Sequence, residues 1–371
     1  MFERMILTVF SILGLLNGAF FSIIFRKRKF YIPLALSLGI SLAAAGFFLW
    51  YARGYDGLGS WSLSLGYVMC GIMVAEIIAV IPLFACTILS FFRRIRSIVR
   101  AGAVLFMVLA FGIGVYGAID GNTREEVAHV DVYVDGLPPA FDGYKAAQMT
   151  DTHIGPYFRY TDLPAEIQRA WKEGAHVLFF TGDLIDDIRY MPETARTLSA
   201  FSGDFPDGII YVWGNHEYYR GKGYIEEELE KTPVRILADD HTAIIRKGQV
   251  LYVAGVDYPW ARGEAMKEEM DEMTEDAWQG IPSGAPVILL AHHSDFLDKG
   301  FKKGAILTLT GHTHGTQFGL FGKPLWTPFT YTRGAYSDGS HLGYVSRGDA
   351  SWFPFRFSCE RELVIFTLHR K

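Results

Sequence analysis

Five short polar islands interrupt the apolar runs of this chain: Asp151-Thr-His153, Gly182-Asp183-Leu-Ile-Asp186, Gly214-Asn215-His216-Glu217, Ala291-His292-His293 and Gly311-His312-Thr-His314. Together they offer carboxylates, an amide oxygen and several imidazoles. Imidazole with carboxylate suits zinc, manganese or iron, whereas oxygen donors alone would suit magnesium or calcium. Thiolates are in short supply, because Cys359 is the one cysteine outside the apolar N-terminal region. A closed structural site takes one metal and four ligands. The donors here are too many for one tetrahedral zinc and fit two divalent metals that share a bridging carboxylate. A lone D-x-H or G-N-H arises often by chance; five islands in this order do not.

Something must bring the islands to one place. Each follows a short apolar run, at 145–150, 177–181, 209–213, 287–291 and 306–310; all but 287–291, which runs into His292, give way to Gly or Asp as a buried strand does at a loop. Stretches 163–173 and 224–231 read as helices, so the pattern is βαβ and the sheet parallel or mixed. The carboxyl ends of such strands converge on one edge, where open α/β sheets hold their ligands. Gly182, Gly214 and Gly311 are expected to let the backbone turn tightly there.

Residues from about 128 to 371 resemble the calcineurin-like metallophosphoesterase superfamily, whose blocks D-x-H, G-D, G-N-H-[DE], H and G-H-x-H occur here in order. Within it the chain is similar to the bacterial membrane-attached or exported branch, which includes enzymes similar to the UDP-diacylglucosamine pyrophosphatases. The stretches that carry this finer likeness are Leu137-Pro-Pro-Ala-Phe-Asp-Gly143, Gly311-His-Thr-His-Gly-Thr-Gln317, Tyr344-Val-Ser-Arg-Gly348 and Pro354-Phe-Arg356. Thr316 stands where a second Gly is commoner, and Thr152 where an apolar residue is usual; neither removes a ligand. The resemblance implies an α/β fold, a two-sheet α/β/β/α sandwich, over 136–371. It implies one metal on Asp151, His153, Asp183 and His314, and a second on Asp183, Asn215, His292 and His312. Manganese is the first expectation for both, with zinc or iron as alternatives. His216 would act beside the phosphorus, oriented by Asp186 as carboxylates orient histidine rings. The reaction implied is hydrolysis of a phosphate ester or pyrophosphate by in-line attack between metals roughly 3.5–4 Å apart.

Other histidines read more plainly. His129, His176, His241 and His369 are expected to be surface or satisfied polar residues, and His341 to be solvated. His293 is expected to be exposed or supporting, with phosphate binding as the sharper alternative.

The first 120 residues differ in kind. They hold no histidine and four acidic residues, and carry apolar segments at 5–25, 30–52, 61–92 and 101–119. Each has about the twenty residues a helix needs to cross a hydrocarbon core, and soluble helices rarely stay apolar on every face for so long. The expected organisation is a four-span transmembrane region at 1–120, a linker and first strand at 121–135, and the catalytic domain at 136–371. Arg26-Lys-Arg-Lys29 and Arg93, Arg94, Arg96 and Arg100 mark the 1–2 and 3–4 loops as cytoplasmic. Acidic Glu3, Asp56, Asp120, Glu125 and Glu126 lie toward the opposite face, with Trp50, Tyr51, Tyr55 and Trp61 as an interfacial belt. Four spans then leave the catalytic domain outside the cytoplasm, in a multi-pass protein of the cell (inner) membrane. A miscount, for which the third segment with Pro82 is the obvious place, would invert that. Glu76 within this segment is a functional candidate by position, with a hydrogen bond to a neighbouring helix as the preferred reading.

Residues 121–371 hold 25 basic and 36 acidic side chains. A protein that grips nucleic acid needs a basic footprint, so no nucleic-acid partner is expected. The partners expected are the lipid bilayer and a phosphorylated lipid or small phosphoester. Tyr157-Phe158, Tyr218-Tyr219, Tyr258-Pro-Trp260 and aromatics from Phe318 to Tyr331 supply either core or a rim for a lipid tail. Met266, Met270 and Met273 read as core, or as an adaptable lid. One alternative is a cytoplasmic-facing pyrophosphatase of the UDP-diacylglucosamine type. Another is a metal-binding membrane scaffold without turnover.

Overall fold

The structure, a computed structural model, describes residues 2–55 and 58–371; Asp56, counted above, lies outside the described residues. The chain divides into two compact units, one ending at Thr123 and also holding Phe353–Phe357, the other made of Arg124–Trp352 and Ser358–Lys371.

The first unit is helical: α1 (Phe2–Phe25), α2 (Tyr31–Arg53), α3 (Ser60–Leu89) and α4 (Arg96–Thr123). All four are long and apolar enough to cross a membrane. Large apolar side chains such as Ile81, Ile98 and Val108 stand exposed on them, as helices solvated by lipid require. α3 runs unbroken through Pro82, so the described residues hold four spans. Arg96 and Arg100, expected in the 3–4 loop, instead belong to the first turns of α4, where long basic side chains can extend from a helix end to the interface. Residues 121–123, expected as linker, complete α4, and Asn122 and Thr123 bond back to the carbonyls of Ala118 and Ile119. Small residues bring α3 and α4 close, since a Cβ on Gly114 would lie 2.1 Å from the Gly71 oxygen. Ser41 of α2 donates to Glu76 Oε1 at 2.5 Å, the interhelical bond expected for that carboxyl. In the same unit the Arg356 N–H donates to Gly117 O at 2.9 Å.

The second unit is α/β. In chain order its strands are β1 (Glu125–Val134), β2 (Tyr144–Met149), β3 (Val177–Thr181), β4 (Ile209–Val212), β5 (Arg235–Ile236), β6 (Asp240–Arg246), β7 (Gln249–Gly255), β8 (Val287–Leu290), β9 (Leu307–Thr310), β10 (Gly319–Leu320), β11 (Lys323–Pro324), β12 (Gly334–Ser337), β13 (Leu342–Val345) and β14 (Arg361–Arg370). Its helices are α5 (Leu163–Lys172), α6 (Met191–Phe201), α7 (Asn215–Arg220), α8 (Lys222–Glu230), α9 (Glu264–Trp278) and α10 (Phe296–Lys303). One six-stranded sheet runs β1-β14-β2-β3-β4-β5 and the other β12-β13-β9-β8-β7-β6, and both are mixed.

The period-2 alternation of strand side chains builds the layers. Val177 and Phe179 of β3 join Ile210 and Val212 of β4 and Ile288, Leu290, Leu307 and Leu309 of the other sheet in one core between the sheets. The alternate residues Leu178, Phe180, Ile209 and Tyr211 face outward onto Ile167, Ala195, Leu198, Ile225 and Leu229 of α5, α6 and α8. On the far side Ala254 and Leu289 pack under Met270 and Ala277 of α9 and Phe296 of α10. The result is an α/β/β/α sandwich. Met270 is buried and Met266 and Met273 pack against the same cluster, so these methionines are core and not a lid. The five islands follow the carboxyl ends of β2, β3, β4, β8 and β9, three from one sheet and two from the other.

Candidate metal centre

The loops that leave these strands are bent hard. Asp151, His153, Asp183, His312 and His314 all adopt positive φ, between 44° and 71°. For residues with a Cβ this costs about 1–3 kcal/mol each and persists only where neighbours enforce it. The Asp151 N–H donates to Gly182 O, and the His153 N–H to Asp183 O, each at 3.0 Å, which ties the first two loops together. Of the three glycines singled out by motif, only Gly182 has positive φ, at 87°. Gly214 and Gly311 serve close approach instead: a Cβ would lie 2.2 Å from Asp183 Oδ1 and 2.4 Å from Asp151 Oδ2, respectively.

Each carboxylate uses one oxygen for the scaffold and turns the other inward. Asp151 Oδ2 accepts from Thr150 Oγ1 at 2.8 Å and from the His312 N–H at 3.1 Å. Asp183 Oδ1 accepts the His216 N–H at 2.8 Å. The remaining oxygens meet imidazole nitrogens. Asp183 Oδ2 lies 3.2 Å from His292 Nε2, 3.6 Å from His153 Nε2 and 4.0 Å from His216 Nε2. Asp151 Oδ1 lies 3.5 Å from His314 Nε2 and 3.8 Å from His153 Nε2. Donor atoms gather in three overlapping groups within 4.8 Å: Asp151, His153 and His314; His153, Asp183 and His216; Asp183, His292 and His312.

The rings are held from behind. His292 Nδ1 lies 2.7 Å from Thr181 O and His314 Nδ1 3.2 Å from Ala350 O. A carbonyl only accepts, so each Nδ1 carries a proton and Nε2 is free to bind a metal. His153 Nδ1 faces Asp186 Oδ2 at 3.4 Å, with the same consequence. His153 Nε2 and His314 Nε2 stand 3.2 Å apart, a pairing natural for two ligands aimed at one cation. Asp151 Oδ1 and Asn215 Oδ1 are buried with no hydrogen-bond partner, and a buried acceptor without a partner is costly. These donors fit two divalent cations.

Charge points the same way. Burial pushes the Asp151 and Asp183 carboxyls up, but the histidines reverse this: His314 and His292 hold Asp151 below the usual carboxylate range, and His292 and His216 hold Asp183 well below it. Burial alone would lower His292, yet Asp183 and Asp151 raise it to about 9. His153 is likewise raised, with Asp186 as the largest favourable contributor. His312 goes the other way, lowered by burial and by His292 and His293. The centre therefore holds protons where cations would sit.

His216 lies in the first turn of helix α7 at the edge of this cluster. Its Nδ1 lies 2.6 Å from Asp186 Oδ1, which Arg220 Nε also reaches at 3.2 Å. Motif reading gave Glu217 no role, although it lies in the third island. Its buried carboxylate accepts the N–H groups of Asp183, Leu184 and Gly214 at 3.1, 2.7 and 2.9 Å, stapling two loops together. Asp349, which lies in none of the five islands, accepts the Thr150 N–H at 2.8 Å. No local signal distinguishes it, since its partner is 199 positions away.

Aromatic rings border the histidines. Tyr258 lies 5.6 Å from His312, Phe329 5.7 Å from His312, Tyr219 5.6 Å from His216, and Trp260 touches both tyrosines. Phe158 is buried in the core instead. His293 packs 5.2 Å from His312 and is mostly buried, not exposed. Of the remaining histidines, His176 stacks on Tyr144 and accepts the Lys145 N–H, His341 pairs with Asp338 and His369 with Asp131.

Comparison with known proteins agrees with this geometry. A family model described as calcineurin-like phosphoesterase matches residues 144–316. A metallophosphoesterase of Aquifex aeolicus is 30% identical over 211 residues, covering 56% of this chain and 77% of that protein. The metallophosphoesterase YkuE of Bacillus subtilis is 28% identical, covering 62% of this chain and 81% of its own length. A transmembrane protein with metallophosphoesterase domain from Danio rerio is 26% identical, with 76% and 67% covered.

Proposed function

Because the chain belongs to the calcineurin-like metallophosphoesterases and is a metal-dependent phosphoesterase with membrane-spanning helices, we propose that it hydrolyses a phosphate ester or pyrophosphate on a membrane-resident lipid or envelope intermediate, at the extracytoplasmic face. The observation that carries the chemistry is the convergence of His153, His216 and His292 on one oxygen, Asp183 Oδ2. Asp151, His153, Asp183 and His314 would hold one cation, and Asp183, Asn215, His292 and His312 the other. Manganese suits this mixed oxygen and nitrogen set. When bound, the pair supplies charge neutralisation at the phosphate and an activated water as nucleophile.

The rest is done by the chain. His216 protonates the leaving oxygen through Nε2, because Asp186 takes up Nδ1 at 2.6 Å and stabilises the charged ring. Glu217 keeps the Asp183 and Asn215 loops in register. Tyr219, Tyr258, Trp260 and Phe329 wall the approach and shed water from it. The lipid reading draws on two further features. The net acidic charge of residues 121–371 disfavours polyanions such as nucleic acid. The β10–β11 hairpin, which follows the last island, exposes Leu320, Phe321, Leu325 and Trp326, with Phe321 90% exposed; apolar patches of this kind mark lipid or partner contact.

The test uses the purified full chain with manganese and a phosphorylated lipid in mixed micelles. Wild type should release product, and His216→Ala should retain its manganese while turnover falls by about 10²–10⁴-fold, the usual contribution of a positioned acid. Equal turnover by both proteins would remove His216 from the chemistry. Metal binding with no turnover by either, on ester or pyrophosphate, would leave a scaffold.

A further inference from the structure

The helical unit encloses more than an anchor needs. A cavity of about 600 Å³ opens among its helices, lined by residues of all four: Asn17 and Phe21 of α1, Leu36 of α2, Glu76 of α3 and Phe111 of α4 among them, with Lys27 and Lys29 of the 1–2 loop at one end. That volume lies in the ~300–1,000 Å³ range of cavities that hold a small ligand. Its walls are apolar and its two ends are not. The loop that carries Lys27 and Lys29 contains no acidic residue between 26 and 30. At the other end Asn17 Oδ1 and Glu76 Oε2 are buried without hydrogen-bond partners, although Asn17 Nδ2 donates to Glu76 O at 3.1 Å. Asn17 is itself only 8% exposed. From Asn17 to Phe25, where α1 ends, is eight residues of helix, or roughly 12 Å at 1.5 Å per residue, and Lys27 lies beyond it in the loop. The helical part alone is a little under half a hydrocarbon core.

We propose that this cavity binds one anionic phospholipid, with its phosphate on Lys27 and Lys29 and an acyl chain lying along Phe21, Ile32, Leu36 and Ile40. Charge complementarity selects the occupant. Two ammonium groups at the membrane surface favour an anionic headgroup over a zwitterionic one, while the apolar walls take a chain of one leaflet's length. Asn17 and Glu76 end the apolar wall and so set the depth the chain reaches. None of its lining residues belongs to the metal centre, and the inference does not depend on what that centre hydrolyses.

The experiment is native mass spectrometry of the full chain released from nanodiscs of equal phosphatidylglycerol and phosphatidylcholine. Wild type should retain one phosphatidylglycerol. Lys27→Gln with Lys29→Gln should lower its occupancy at least about tenfold, as loss of two surface cations implies. Arg26→Gln with Arg28→Gln removes the same charge from side chains that do not line the cavity, and should lower occupancy several-fold less than the lysine pair does. Leu36→Trp, which puts an indole on the wall where the acyl chain would lie, should also lower occupancy. Glycerol phosphate, a headgroup without a chain, should not compete. Equal losses in both double variants would make the loop a diffuse basic patch and overturn the assignment. Retention of the lipid by Leu36→Trp would do the same, as would displacement by glycerol phosphate alone.

Discussion

At the scale of single residues, the centre is a set of acids and bases held in each other's grip. His292 is raised to about 9 by Asp183 and Asp151 after burial has pulled it down, whereas an unfolded histidine sits near ~6.5. A raised histidine stabilises the metal-free fold fully below ~6.5, and that contribution is lost as the pH climbs through about 9. The depressed carboxyls of Asp151 and Asp183 behave oppositely. Their contribution is present above ~4 and is lost as the pH falls through their lowered values. A metal held on His292, as proposed, must displace its proton, so manganese affinity should rise with pH by up to about tenfold per unit until near 9. Calorimetric titration in buffers of different ionisation heat should show proton release on binding at neutral pH; its absence would contradict this charge assignment. Glu217 offers a second check. Glu217→Gln loses charged acceptance from three buried N–H groups, costing about 2 kcal/mol or more. In a unit of this size that lowers the melting temperature by roughly 4–8 °C.

At the scale of elements, β-strand ends and the glycines between them place the chemistry. Gly214→Ala would drive a methyl to 2.2 Å from Asp183 Oδ1. It should abolish manganese binding while leaving the spectrum of a folded α/β protein, and normal metal content would refute the close-approach argument. The β10–β11 hairpin gives a selective prediction. Phe321→Ser with Trp326→Ser should raise KM for a lipid substrate about tenfold or more, the scale of two lost apolar contacts, and leave a soluble phosphodiester unaffected. Much of this scale was legible in sequence. The runs at 177–181 and 209–213 become β3 and β4 within a residue, because short apolar strands ending in glycine carry their own punctuation. Strand partners were not legible. β14 inserts between β1 and β2, and Asp349 reaches back to Thr150; such pairings leave no local pattern. The left-handed backbone at Asp151 and His314 was hidden for a different reason, since tertiary contacts impose it against residue preference.

At the scale of the whole molecule, one chain combines a membrane-spanning unit with a metallophosphoesterase. The orientation rests on basic loops, and labelling in intact cells tests it. The three native cysteines are buried, so Asp135→Cys in an exposed turn supplies a single accessible thiol. An impermeant reagent should label it together with a Gly54→Cys control and spare Arg28→Cys. Protection of Asp135→Cys would put the site in the cytoplasm and favour a nucleotide-linked diacyl sugar. The central claim is that two cations share Asp183, and it is tested most directly by elemental analysis of the full chain beside its turnover. The account predicts two manganese ions per chain in the wild type, and loss of both metal and hydrolysis in Asp183→Ala. One metal per chain, or hydrolysis that survives in Asp183→Ala, would contradict it.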